Sequence, residues 1–108
     1  MNIYEWQTAG GKNVIEEYFN KATQYEQAEY KKTRETIIEN NYSVFERLNT
    51  RQLQGKLWEI KISQNRIMYV IVDDENVYFI HACKKQKGRA EKHELNKALK
   101  RAKSAGLL

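Results

Sequence analysis

The sequence predicts an α+β fold, because the spacing of its apolar residues changes near the middle of the chain. In the first half, apolar residues recur at helical spacing after one short β-prone segment. From Leu57 onward, three runs rich in β-branched and aromatic residues are separated by short polar breaks. A last helical segment follows. We therefore expect an N-terminal strand, two helices, a three-strand antiparallel meander and a C-terminal helix, in one domain spanning residues 1–108.

The N-terminal elements are predicted from short patterns. The stretch NIYEW at residues 2–6 alternates weakly and is expected to form a strand that ends before Gly10-Gly11. A second helix is expected at residues 24–40, and the pair Asn40-Asn41 ends it. Residues 42–54 have no clean period and are predicted as a connection. One face of the first helix is formed by apolar residues at helical spacing: Val14, Ile15, Tyr18, Phe19 and Ala22.

The meander is formed by LWEIKIS, RIMYVIV and VYFIHAC, with turns at Gln64-Asn65 and Asp74-Glu75. Counting across two-residue turns gives the register and divides each strand between two faces. One face is apolar throughout and is expected to take the helices: Trp58, Ile60 and Ile62 lie opposite Ile71, Tyr69 and Ile67, which lie opposite Tyr78, Ile80 and Ala82. The other face carries Val70, Val72, Val77 and Phe79 at one end, and Lys61, Arg66 and His81 at the other, with Lys61, Met68 and His81 in one row.

Positive charge is concentrated in the last part of the chain. The net charge is +5, and residues 84–103 contain nine Lys or Arg against two Glu. Gly88 precedes the final helix, whose apolar stripe is formed by Leu95, Ala98, Leu99 and Ala102, and Gly106 ends it. A basic segment of this kind is typical of a polyanion-binding surface, although a solvated helix face is the alternative.

The cysteine content and the N-terminal residues indicate the expected cellular location. The single cysteine, Cys83, is expected to be a buried thiol, and a catalytic thiol with His81 as its base is the alternative. A chain without disulfides suits a reducing compartment, the N-terminal residues do not resemble a signal peptide, and no apolar run reaches membrane-spanning length. We therefore expect a cytoplasmic protein.

Three groups from three strands, two cations and a histidine, converge at one end of the predicted sheet. Lys61, Arg66 and His81 share that end, and Lys84 and Lys85 leave the third strand there. Converging cations with no acidic neighbour except Glu59 indicate a phosphate site. Each residue also has an ordinary interpretation, as a solvated strand lysine, a turn arginine or a core histidine. No metal-ligand spacing and no nucleotide-binding loop is present, so neither metal nor cofactor is expected.

Three short motifs occur in order in LQGKLWEIKISQNRIMYVIV, residues 53–72, and FIHACKKQKGRAEKHELNKALKR, residues 79–101. In them the chain resembles toxins of the RelE/ParE superfamily, closest to the HigB-like, phage-derived branch. The matching residues are Gly55, Leu57, Trp58 and Glu59 in the first motif, Arg66, Ile67 and Tyr69 in the second, and His81, Lys84 and Lys85 in the third. Three departures stand out: Lys61 replaces a common Arg, Cys83 replaces a common Phe, and a common Pro before the last helix is absent.

The resemblance implies a RelE-like fold and a bacterial type II toxin that cleaves mRNA without metal, usually in the ribosomal A site. It also implies a cognate antitoxin, a HigA-like helix-turn-helix protein, and a possible toxin–antitoxin heterotetramer. Two other functions stay open, a ParE-like poison of DNA gyrase that cleaves no nucleic acid and a non-enzymatic nucleic-acid-binding module. A toxin that keeps the fold but has lost its activity is a further possibility.

Metal-free cleavage by the 2′-hydroxyl of RNA needs a base, an acid and positive charge around the phosphate. We expect Arg66 to clamp the transition state and His81 to transfer a proton, with Lys84 or Lys61 sharing that work. Glu59 is expected to orient a cation, and a general base is its alternative role. The residues expected to hold the RNA backbone are Lys85, Lys87, Arg89 and Lys92.

Overall fold

The computed structural model describes residues 1–108, and it confirms the α+β fold with an N-terminal strand, helices, a strand meander and a C-terminal helix. No helix combines the length and apolar character needed to cross a bilayer. The elements in chain order are β1 (Asn2–Glu5), α1 (Val14–Asn20), α2 (Gln24–Ile38), a 3₁₀ helix (Tyr42–Glu46), β2 (Thr50–Gln54), β3 (Leu57–Ile62), β4 (Asn65–Asp73), β5 (Asn76–Lys84) and α3 (Gly88–Ser104).

The strand β2 is an addition to the predicted order. Its sequence TRQLQ is polar and lacks a clear alternation, so the prediction of an irregular connection there is wrong at residues 50–54. It forms because it pairs antiparallel with β3, with an irregularity between Gln52 and Gln54. The sheet has the order β1-β5-β4-β3-β2, in which β1 runs parallel to β5 and β2 is an edge strand.

The β3–β4 turn lies one residue earlier than predicted, at Ser63-Gln64. Ser63 adopts a left-handed backbone with φ of 56°, and Asn65 becomes the first residue of β4. The pairing of β3 with β4 is therefore shifted by two residues from the predicted register, which keeps the faces but changes the partners. Lys61 lies opposite Arg66 and not opposite Met68, so the predicted row of Lys61, Met68 and His81 is wrong.

The β4–β5 register agrees with the prediction only at its ends. Met68 pairs with His81 and Asp73 pairs with Asn76, as expected, but Tyr69 pairs with Phe79. The irregularities between Met68 and Tyr69 and between Ile71 and Asp73 displace the intervening residues by one position. The predicted faces of residues 77–80 are consequently wrong: Val77 and Phe79 belong to the apolar cluster under α1 and α2, whereas Ile80 packs toward α3.

Helices cover both faces of the sheet, so the prediction that one face takes all of them is wrong. On one side α1, α2 and the 3₁₀ helix bury Ile15, Phe19 and Ile37 against the strands. On the other side the predicted stripe of α3 is confirmed, because Ala98 and Ala102 are fully buried there and Leu95 and Leu99 pack beside them. The helix α3 leaves uncovered the end of this face where β3, β4 and β5 carry their cations.

Candidate nucleic-acid interface

A polar cleft of about 210 Å³ opens beside the β3–β4 turn, between the end of β5 and the first turn of α3. Three carboxylates line this cleft, those of Glu59, Glu91 and Glu94. Only two of its lining residues, Met68 and Cys83, are hydrophobic. Its cations come from β2, β3, β4, β5 and the β5–α3 loop: Arg51, Lys61, Arg66, Lys84, Lys85 and Lys87. Since phosphate oxygens are bound by such donors, the cleft suits a nucleic-acid backbone.

The fold brings together five of the basic residues predicted from the sequence. Lys61 and Arg66 are direct cross-strand partners, and Lys84, Lys85 and Lys87 follow on the adjoining strand and loop. The other two lie outside the cleft. Arg89 is exposed on the first turn of α3, and Lys92 lines a separate groove over β2.

Arg66 is held in a defined position by the turn beside it. Its Nη1 donates to the carbonyl oxygens of Ser63 at 3.1 Å and Asn65 at 2.9 Å, and its side chain is only 12% exposed. Its Nε lies 3.7 Å from a carboxylate oxygen of Glu59, and the Nε of Arg51 lies 3.2 Å from the same oxygen. Glu59 is nearly buried, and this oxygen accepts no hydrogen bond. The placement of Glu59 between two arginines favours an orienting role over proton transfer.

His81 does not line the cationic cleft. It is buried on β5 next to the irregularity at Ile80, and its two ring nitrogens contact Glu94 and Arg101 of α3. Burial lowers the pKa of His81, and the positive charge of Arg101 opposes the raising effect of Glu94. Arg101 is only a donor and lies 2.7 Å from Nδ1, so the neutral ring carries its proton on Nε2 and donates it to Glu94.

Glu94 is the residue that connects His81 to the cleft, and sequence reasoning missed it. It lines both the cationic cleft and a second cavity, between α1 and α3, that contains His81. Burial would raise the pKa of Glu94, but the hydrogen bond from His81 and the positive charge of Lys97 lower it. The available signal was spacing, because Glu94, Lys97 and Arg101 lie three or four residues apart on one helix face. Arg51 was missed because β2 was not predicted.

Cys83 is a buried thiol, which agrees with the ordinary interpretation of its sequence position. Burial and the charge of Glu94 raise the pKa of its thiol to about 12, so it is protonated and a poor nucleophile. The fold nevertheless brings His81, Cys83 and Glu94 together, with donor atoms within 4.8 Å of one another, a cluster that the sequence spacing did not reveal. Because Arg101 occupies Nδ1 of His81 and Nε2 carries the proton, this trio is arranged as a hydrogen-bond network and not as a set of metal ligands.

Comparison with known protein families identifies one that covers most of the chain. The family model "Phage derived protein Gp49-like (DUF891)" matches residues 17–103, which include every element from α2 to β5 and nearly all of α3. A comparison with curated proteins finds no significant match. The chain therefore belongs to the Gp49-like family of phage-derived proteins, a toxin-like family of the type II toxin–antitoxin kind.

Proposed function

We propose that the chain is the toxin of a HigB-like type II system and that it cleaves mRNA without a metal ion, on the translating ribosome. The observation that carries the proposal is the cleft in which Lys61 and Arg66 are cross-strand neighbours and Lys84, Lys85 and Lys87 lie on the adjoining strand and loop. Family membership supports the toxin role, and toxins of this kind have an antitoxin partner. That partner would be a HigA-like helix-turn-helix protein.

The arrangement of Arg66 supports a role in stabilising the transition state. The side chain is fixed by two carbonyl oxygens and by Glu59, so it needs little reorganisation when charge develops on a bound phosphate. Its Nη2 has no hydrogen-bond partner within the protein and is free to donate to a phosphate oxygen. Lys61, opposite Arg66, supplies a second positive charge as a flexible point donor.

We assign proton transfer to groups that reach the cleft. The 2′-hydroxyl of RNA attacks the adjacent phosphorus and gives its proton to Glu94, with His81 holding that carboxylate from behind. The bond from phosphorus to the 5′-oxygen then breaks, a cleft lysine, Lys61 or Lys84, protonates that oxygen, and a 2′,3′-cyclic phosphate remains. In this scheme His81 acts through Glu94 and does not touch the substrate.

The remaining cations are assigned to backbone binding. Lys85 and Lys87 line the cleft beside the start of α3, and Arg89 and Lys92 continue the basic surface outside it. Such contacts to phosphates of mRNA or ribosomal RNA fix the position of the strand without reading its sequence.

The test is to induce the chain in growing bacteria and to map mRNA 5′ ends by primer extension, beside Arg66→Ala. The matched control is Arg47→Ala, which removes an exposed arginine at the end of the 3₁₀ helix, outside the cleft. We expect new cuts inside translated frames with the wild type and with Arg47→Ala, and none with Arg66→Ala. Growth arrest without cuts, accompanied by DNA damage signals, would replace this proposal with the gyrase-poison function.

A further inference from the structure

Asn65 is a fully buried polar side chain at the first position of β4, and none of the roles proposed above uses it. Its Nδ2 donates to the carboxylate of Glu26 and to the carbonyl oxygen of Ile62 at 3.3 Å. Its Oδ1 accepts from the hydroxyl of Tyr18 at 2.5 Å. Buried amides with all their groups bonded fix local geometry, and this one ties the β3–β4 turn to both α1 and α2.

The two carboxylate oxygens of Glu26, the partner of Asn65, have different hydrogen-bond partners. Oε1 accepts from the backbone N–H of Thr23 at 3.4 Å, which completes the capping box of α2, and also from the hydroxyl of Thr23 at 2.9 Å. Oε2 accepts from Asn65 and from the ammonium of Lys84 at 3.1 Å. The hydrogen bonds from Asn65 and Lys84 hold the pKa of Glu26 down at about 2, so the carboxylate is ionised throughout the physiological range.

These contacts lie at the point where the cleft cations are attached. Asn65 pairs with Lys84 across β4 and β5, and its own carbonyl oxygen accepts from Arg66. The amide of Lys85 donates to the carbonyl oxygen of Gln64 at 2.7 Å, which closes the same corner of the sheet. One carboxylate of the helix layer therefore contacts both β4, which carries Arg66, and β5, which carries Lys84.

We propose that Glu26 is a positioning residue of the cationic cleft. Its Oε2 fixes the ammonium of Lys84 directly and fixes the turn that carries Arg66 through Asn65. The inference rests on the proposed function in so far as these cations act on RNA. It assigns a task to a helix residue that lies outside the cleft and far from the basic segment in sequence.

Glu26→Gln separates the two tasks of this carboxylate. A glutamine that keeps its oxygen at the Oε1 position preserves the capping box, which accepts Glu or Gln equally. Its amide nitrogen then faces two donors, Asn65 and Lys84, and the tether is lost. Glu35→Gln is the matched control, because it removes the same charge from an exposed position of the same helix.

The experiment measures single-turnover cleavage of a short RNA, in the presence and absence of ribosomes, and the affinity for its non-cleavable 2′-deoxy analogue. For Glu26→Gln we expect cleavage to slow by about tenfold, because misplaced groups lose near-attack geometry, while affinity changes far less. Combining Glu26→Gln with Lys84→Met should cost less than the product of the two single losses, because the part of the Glu26 effect that acts through Lys84 is already absent. Unchanged cleavage in Glu26→Gln, or an equal loss in Glu35→Gln, would overturn the proposal.

Amide hydrogen exchange at Lys85 gives a result that does not depend on activity. The proposal expects faster exchange of this amide in Glu26→Gln than in the wild type or in Glu35→Gln, because the corner that it closes loosens. If the wild type cleaves no RNA under either condition, the proposed function fails, and exchange alone decides. Faster exchange then supports the positioning role, and unchanged exchange rejects it.

Discussion

Lys61 and Arg66 lie directly opposite each other across β3 and β4, on the face of the sheet that α3 leaves uncovered. Like charges in directly opposed positions destabilise a sheet. We therefore expect Lys61→Met to raise the free energy of unfolding by about 0.5 kcal/mol while RNA cleavage falls. Urea denaturation measures the first and a cleavage assay the second. Lys56→Met, at the exposed β2–β3 turn, is the control and should change neither; a destabilised Lys61→Met would contradict the argument.

Exchanging the two cation types distinguishes their roles. Arg66→Lys removes the planar guanidinium whose Nη1 binds Ser63 and Asn65, so we expect cleavage to fall by about a hundredfold. Lys61→Arg should retain activity, because arginine keeps the positive charge opposite Arg66. Primer extension after induction compares the two variants. Equal activity in Arg66→Lys and the wild type would remove Arg66 from the transition-state site.

We expect the stabilising effect of Glu59 on Arg66 to outweigh the repulsion between its carboxylate and the RNA phosphates. Glu59→Gln leaves the largely buried side chain of Arg66 without its counter-charge, and we expect a loss of about 2 kcal/mol in unfolding free energy. Cleavage should slow, while the affinity for a non-cleavable 2′-deoxy oligonucleotide stays equal or rises. Glu46→Gln, an exposed carboxylate beside another groove, is the control. Weaker oligonucleotide binding in Glu59→Gln would contradict this role.

The buried His81 makes stability depend on pH. Because its pKa is lowered in the folded chain, the unfolded chain takes up a proton first as pH falls through the ordinary value of about 6.5. Stability is therefore full above that value and declines below it. The lowered pKa of Glu94 adds to the decline at more acidic pH.

His81→Gln should flatten the unfolding free energy between about pH 7 and pH 5, because glutamine does not titrate. The control is His93→Gln, which replaces an exposed histidine on the same helix as Glu94. Urea midpoints measured across this range test the prediction. A slope that His81→Gln leaves unchanged would assign the effect to other groups.

Lys87 lines the cleft, and Lys103 lies near the far end of α3. If Lys87 contacts a phosphate, Lys87→Ala should reduce the slope of log affinity for single-stranded nucleic acid against log salt by about 0.7. Lys103→Ala has the same charge change and should leave the slope nearly unaltered. Fluorescence anisotropy titrations at several salt concentrations measure both slopes, and equal slopes for the two variants would point to non-specific charge.

Local sequence patterns predicted the α+β class, the positions of the helices and the grouping of five cations at one end of the sheet. Each of these features depends on the spacing of apolar residues or on residues that are close in sequence. The register failed where single residues override periodicity. The chain turns early, at Ser63, because Asn65 belongs to the buried hydrogen-bond network with Tyr18 and Glu26. The extra residue at Ile80 changes the faces on which its neighbours in β5 lie. Such effects depend on contacts between distant segments.

The residues of the candidate site that lie on neighbouring strands were predicted from the sequence. The residues that α3 contributes were missed. Glu94 and Arg101 enclose His81 only once α3 covers the sheet, and no feature near His81 in sequence indicates them. The role of Arg51 could not be predicted, because this residue lies on β2. The polar sequence of β2 forms a strand only because it pairs with β3.

The irregular edge strand β2 has a consequence for self-association. An unpaired strand edge is a template on which a second chain can extend the sheet, and regular, apolar edges aggregate most readily. Here the edge is five residues long, is interrupted between Gln52 and Gln54, and carries Arg51, whose guanidinium turns toward Glu91 on α3. The isolated chain thus presents an edge that discourages fibrillar stacking. Arg51→Val, which makes the edge more apolar and removes its charge, would weaken that protection.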